Sequence, residues 1–174
     1  MRRIRKDIGI LLLFCATLPL LGGCNNTDDL KEIFTGKTWK MSRLTNKDSE
    51  APFYPGIWDS QEAMDRSLNQ LKREECFTLN FEGTELDGEM IGATLSGRGI
   101  STSFTGTWSA DGKNQSLTLN LKTDGSTEGD PLAKAFINGL RNVYKYEGDA
   151  NSLTLFYKDK NSGATRVIGF SHNR

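Results

Sequence analysis

Histidine is almost absent from this 174-residue chain: the one example, His172, stands two places from the end. That scarcity removes most zinc sites and the Ser-His-Asp arrangement of hydrolases, both of which depend on placed imidazoles. Cysteine is nearly as scarce, with Cys15, Cys24 and Cys76, an odd set at spacings that make neither a disulfide framework nor a metal motif. Net charge is absent too, at 22 basic and 22 acidic residues. No basic cluster offers the counterion-replacing face that nucleic-acid binding needs. Long apolar runs are missing: the stretch Ile8 to Leu21 has fourteen residues and contains Pro19, short of the roughly 20 that carry a helix across a bilayer.

What is there starts with charge. Arg2, Arg3, Arg5 and Lys6 precede the apolar stretch, and small residues follow it in Leu21-Gly22-Gly23-Cys24. A basic start, a short apolar core and a small-residue end mark an export signal. The last four residues resemble the lipobox of bacterial lipoproteins. That resemblance implies cleavage before Cys24, lipid attachment at Cys24 and several acyl chains on one residue, enough for stable anchoring where a single chain holds only marginally. Residues 1–23 are then a lipoprotein signal peptide, and residues 24–33 a lipidated cysteine with a flexible tether. Asn25 to Asp29 has nothing apolar to bury, and Asp28-Asp29 resembles the acidic signal that sends some Gram-negative lipoproteins to the cell exterior. Cys15 leaves with the signal, so Cys76 remains as a lone thiol and stability must come from the core.

Losing four basic residues and one acidic residue with the leader leaves 18 basic against 21 acidic. The remaining length suits one domain, residues 34–174. Its dominant pattern is a period of two. Phe77, Leu79 and Phe81 alternate with polar neighbours, as do Leu117, Leu119 and Leu121, and Leu153, Leu155 and Tyr157. One greasy face per strand means an antiparallel sheet half-buried against a core. Phe104 to Trp108, Tyr144 to Tyr146 and Ala164 to Phe170 add weaker strands. Asp111-Gly112, Gly148-Asp149 and Asn161-Ser162-Gly163 supply hairpin turns, and such short connections make sequence neighbours spatial neighbours. Trp108 to Lys122 and Tyr144 to Lys158 repeat an aromatic, a turn and Ser-Leu-Thr-Leu at an offset of 36 residues, which reads as two similar hairpins. Two helices interrupt the meander. One starts near Asp59 with Glu62 three residues on and a stripe of Met64, Leu68 and Leu71; the other opens at Asp130-Pro131 and carries Leu132, Phe136 and Leu140. The glycine-rich stretch from Glu82 to Ser103 weakens any strand placed there.

Phe34-Thr-Gly36-Lys-Thr-Trp39-Lys-Met41 looks like the opening of calycins, the superfamily of lipocalins and fatty-acid-binding proteins, where a Gly and a Trp begin a closed antiparallel barrel. The chain as a whole resembles lipocalin-like envelope lipoproteins of uncharacterised function. The resemblance implies a mainly β fold, an antiparallel meander β-barrel of about eight strands with two short inserted helices. A barrel that size is just filled by side chains or holds one small ligand. Trp39, Phe104 and Trp108 are then candidate interior residues. Strand parity carries Arg43 with Trp39 and Met41, and Arg166 with Ile168 and Phe170, so each guanidinium needs the mouth, a carboxylate or an anionic ligand. Fatty-acid-binding proteins hold their ligand with Arg-x-Tyr in the last strand; here Arg166 is kept and the Tyr is lost.

Several chemical motifs fail on inspection. Gly36-Lys37-Thr38 has Lys31 where a phosphate loop needs glycine. Asp159, Asn161 and Gly163 lack the closing glutamate of a calcium loop. Cys76 falls on the polar side of its strand without a histidine nearby. The expectation is a non-enzymatic, cofactor-free lipoprotein of the cell envelope, at the outer membrane, anchored through Cys24. It binds a small apolar or amphipathic ligand inside the barrel, or else is a filled barrel serving as an interaction subunit.

Overall fold

The computed structural model describes residues 29–86 and 89–172. The expected signal peptide, Cys24 and the first part of the expected tether lie outside the described residues. Three helices and eight strands follow in order: α1 (Leu30–Phe34), β1 (Thr38–Asn46), α2 (Gln61–Leu71), β2 (Thr78–Leu86), β3 (Glu89–Arg98), β4 (Ser103–Asp111), β5 (Ser116–Thr123), α3 (Pro131–Leu140), β6 (Val143–Gly148), β7 (Ser152–Lys158) and β8 (Thr165–His172). Every strand pairs antiparallel with the next, and β8 returns to β1 to close the barrel. The expected meander of eight strands is therefore what forms. None of the described helices is long and apolar enough to cross a membrane.

The two ends of the barrel differ. The β2–β3, β4–β5 and β6–β7 hairpins lie at the end where β1 starts, and α1 packs there. The other end receives the long connections through α2 and α3. The stretch expected to be tether as far as Ile33 is instead α1, because Leu30, Ile33 and Phe34 are buried and Asp29 caps the helix by accepting from the Glu32 backbone N–H at 2.8 Å. The packed domain thus begins five residues earlier than the expected Phe34.

Hairpin turns are set by the same device in three places. Asp111, Asp149 and Asp159 each accept two backbone N–H bonds from residues two and three further on, the side chain imitating a turn carbonyl. The two repeat copies fold as the β4–β5 and β6–β7 hairpins. The stretch expected to be weak, Glu82 to Ser103, is instead a long β2–β3 hairpin. Its glycines serve it: the register shifts at Gly83, and a Cβ on Gly97 would stand 2.3 Å from the Thr78 carbonyl oxygen and 2.4 Å from the Phe104 ring. In α2 the cap is Ser60, which accepts from the Ala63 N–H, rather than Asp59. Its most buried face is Ala63 and Ser67, while Met64, Leu68 and Leu71 are half-buried. Helix α3 buries the expected Leu132, Phe136 and Leu140, together with Ala133 and Ile137.

Candidate functional site

The barrel interior is occupied by aromatic rings supplied by the helices. From α1, Phe34 places its ring centroid 4.9 Å from those of Phe81, Trp108 and Tyr146. From α3, Phe136 lies 5.8 Å from Phe77, 6.3 Å from Phe104 and 6.1 Å from Phe170. These are the separations of rings in contact. The candidate ligand-lining residues Trp39, Phe104 and Trp108 are all buried. Trp108 additionally donates its indole N–H to the Glu82 carbonyl at 3.0 Å. The three are brought into one core but face other side chains.

Arg43 does not follow Trp39 and Met41 inward. A bulge between Met41 and Arg43 shifts the β1–β8 register, so that Met41 faces Phe170 and Arg43 faces Gly169. The inward phase resumes at Leu44, which is fully buried. Arg43 instead lies exposed across Gly169, where an added Cβ would stand 2.6 Å from its side chain. A one-residue insertion flips every later side chain to the opposite face, and period-two counting along a single strand does not see it.

Arg166 keeps its phase and reaches the mouth at the α3 end. Register pairs it with Tyr157 on β7 and Asn46 on β1. Its Nη1 donates to Asp159 Oδ2 at 2.5 Å, and both side chains are about five-sixths buried, 15% and 16% exposed. Its guanidinium carbon sits 3.5 Å from the centroid of the Tyr54 ring, a cation–π stack. Tyr54 belongs to a short segment that pairs with the second half of β1, donating its N–H to the Leu44 carbonyl at 3.0 Å. Asp159 is doubly committed, to Arg166 and to the turn. Hydrogen bonds from the Ser162 backbone and hydroxyl, then the nearby guanidinium, hold its carboxyl below the usual aspartate range. Burial pushes the hydroxyls of Tyr157 and Tyr54 upward, so both stay protonated at neutral pH.

Beside this pair opens a cleft of about 530 Å³, lined by Tyr54 and Tyr157, by Asn138, Arg141 and Asn142 of α3 and its C-terminal turn, and by Lys158 to Asn161. Gly139 lets α3 approach so closely: a Cβ there would stand 3.0 Å from Ile168 and 3.1 Å from the Tyr157 ring. Sequence reading singled out Arg166 but missed Tyr54, Arg141 and Lys160, which come from separate elements and carry no mutual spacing. Asp159 stands out in the sequence only as a member of an incomplete calcium loop.

The same end holds two further carboxylates with structural partners. Glu128, 8% exposed, accepts from the backbone N–H groups of Ile100, Ser101 and Thr102 at 3.0, 3.0 and 3.3 Å through Oε2 and of Asp130 at 3.2 Å through Oε1. Asp130 caps α3 and accepts the Ser67 hydroxyl at 2.7 Å, tying α3 to α2. Among the described residues no group of three or more His, Cys, Asp or Glu is placed to hold a metal ion. Cys76 is buried rather than on a polar face, and burial pushes its thiol up, away from nucleophilic use.

A family model described as a domain of unknown function, DUF4847, matches residues 25–172. A crystal structure of a DUF4847 family protein from Bacteroides vulgatus ATCC 8482 is similar over 82% of this chain and 96% of that one, at 26% identity and a TM-score of 0.57. No curated protein matches.

Proposed function

The chain belongs to the DUF4847 family, and from that premise we propose that it is a lipid-anchored, non-catalytic interaction module of the cell envelope, a filled barrel that meets its partners with its outer surface. One observation carries the choice of a filled barrel over a carrier: Phe34 and Phe136 occupy the two halves of the interior at ring-contact distance. For a ligand to enter, one of these rings must leave, exposing apolar surface worth about 1.5–3 kcal/mol per side chain.

Two facts support anchoring at Cys24. The Leu21-Gly-Gly-Cys24 sequence ends where the family match begins, at residue 25. Asp29, the first residue of the packed domain, lies five residues beyond Cys24, a reach of at most about 18 Å. The α1 end then faces the lipid, and the α2 and α3 end faces away. The membrane in question is the outer membrane.

Cell fractionation of Cys24→Ala tests the anchor: the variant is expected in the soluble fraction, and its retention in membranes overturns anchoring at Cys24. Native mass spectrometry of the protein purified from its own host tests the filled interior. The expected mass is that of the lipidated polypeptide alone; a co-purifying apolar compound that survives in the gas phase restores the carrier.

A further inference from the structure

We propose that the cleft between the C-terminal turn of α3 and the β7–β8 turn binds the oxyanion group, carboxylate or phosphate, of a small hydroxylated solute. Its volume, about 530 Å³, falls in the range of small-molecule sites. Its charge is one-sided. Arg141, Lys158 and Lys160 line it, and the one carboxylate, Asp159, is already taken by Arg166 and its own turn. Lys158 makes one neutral contact, to the Thr165 hydroxyl at 2.7 Å. Among the described residues no ion pair or hydrogen bond engages the side chains of Arg141, Lys160, Asn138 or Asn161.

These free groups match one chemistry. Two exposed cations with unsatisfied donors suit an oxyanion, where charge-assisted bonds are about twice as strong as neutral ones. Carboxamides offer a donor and an acceptor side by side, which suits the hydroxyls of a polar body. Tyr157 and Tyr54 add protonated hydroxyls that do not repel an anion. One effect opposes binding: α3 presents its C-terminus here, with a partial negative charge of about half a unit. That end is largely satisfied by its own chain, since Asn138 accepts from the Asn142 side chain at 2.7 Å, Ile137 from the Arg141 N–H and Gly139 from the Asn142 N–H. The full charges of three cations therefore dominate.

The cleft lies at the barrel end opposite α1, away from the anchored side. A soluble solute reaches it more readily than a headgroup of the membrane to which the chain is tethered. The inference rests on the proposed function in two respects, that a filled interior offers no rival site and that the anchor lies at the α1 end. A ligand recovered from the interior overturns that reading alone, whereas the variants below decide the cleft.

Isothermal titration calorimetry of the purified protein tests it with four probes: glucuronate, glucose 6-phosphate, glucose and inorganic phosphate. One or both sugar anions are expected to bind, at least ten-fold more tightly than glucose and than inorganic phosphate. Arg141→Ala and Lys160→Ala are each expected to weaken binding about ten-fold, while Lys113→Ala, in the β4–β5 turn at the far end, leaves it unchanged. Both cations are exposed, so the variants keep their fold. Absence of binding by either sugar anion, or binding indifferent to both cleft variants, overturns the proposal. Equal affinity for inorganic phosphate removes the hydroxylated body from it. Vesicles containing phosphatidylglycerol form the last arm: binding to them that both cleft variants abolish transfers the oxyanion to a lipid headgroup and overturns the soluble source.

Discussion

The two ends of this barrel close by different physics. At the α1 end a five-residue helix drives Phe34 into a cluster of rings, and what lies outside is a set of tight turns. At the α3 end Phe136 fills the interior in the same way, but above it stands a layer of desolvated charge: Arg166 with Asp159, Glu128 on four backbone amides, and Asp130 bridging two helices. Apolar burial stabilises regardless of direction, so a ring suffices to plug an end. Buried charge stabilises little by itself and costs heavily when a partner is lost, so its presence at one end marks a surface whose shape is being fixed. That end also carries the open, cation-lined cleft.

Removing the plugs has the largest expected effect and tests whether the ends are equal beneath their outer layers. Phe34→Ala and Phe136→Ala are each expected to lower stability by about 3–5 kcal/mol, the usual cost of deleting a fully buried ring and leaving a void, measured by urea unfolding. The Phe34 void borders Trp108, so indole fluorescence should respond in that variant and stay close to wild type in Phe136→Ala. A loss below about 1 kcal/mol in either variant would mean that the ring is not packed as described, and the carrier reading would regain ground at that end.

Next in size is Glu128→Gln. An amide oxygen still accepts, but more weakly than a carboxylate, and its NH2 faces backbone donors. A loss of about 1–3 kcal/mol is expected from impaired bonds to four amides. Hydrogen exchange should localise it to residues 100–102 and Asp130 and leave the α1 end protected. Uniform acceleration across both ends would show instead that the carboxylate supports the whole barrel.

Much of this contrast was legible in the sequence, and the reasons are specific. Leu79, Leu119 and Leu155 announced inward strand faces because a half-buried antiparallel strand repeats every two residues, and Asp130-Pro131 announced α3 because proline is pre-organised at a helix start. Counting back from Ile168 and Phe170 gives Arg166 three open choices, the mouth, a carboxylate or an anionic ligand, and the structure combines the first two. Arg43 was misplaced because the bulge before it is a property of two paired strands. The β2–β3 hairpin was hidden because glycine lowers strand propensity while permitting the close approach at Gly97 that propensity does not describe. The cleft was invisible for a related reason: Tyr54, Arg141 and Lys160 belong to three segments that only barrel closure and the docking of α3 bring together.

Asp159→Asn probes the same charged layer with an effect of the same order. It removes the ion pair and leaves Arg166 mostly buried against Tyr54, at an expected cost of about 1–3 kcal/mol, below that of a fully buried pair because the site is at the rim. Acid acts on the same group. Its folded pKa is depressed, so its stabilisation is complete above the unfolded value of about 3.9 and is lost as pH falls through the folded value. The wild-type protein should therefore lose stability below about pH 4 more steeply than Asp159→Asn. Parallel acid profiles would show that the pair contributes nothing net.

The smallest expected effects compare the caps of two helices, one at each end. Ser60 caps α2 and Asp29 caps α1, each accepting from the backbone N–H three residues on, at 3.2 and 2.8 Å. Replacing such a cap by alanine costs about 0.5–2 kcal/mol. Asp29 has the shorter bond and adds a negative charge at a helix N-terminus, which favours it locally. Ser60, however, starts an eleven-residue helix tied to α3 and to the segment around Trp58 through Ser67, with two buried residues, Ala63 and Ser67, whereas α1, less than half as long, is held by three buried side chains whatever its cap does. Ser60→Ala is thus expected to cost about 1 kcal/mol and Asp29→Ala about half that, in paired thermal melts. The reverse order would mean that the α1 end, despite its ring cluster, depends on its first turn more than the α3 end depends on α2.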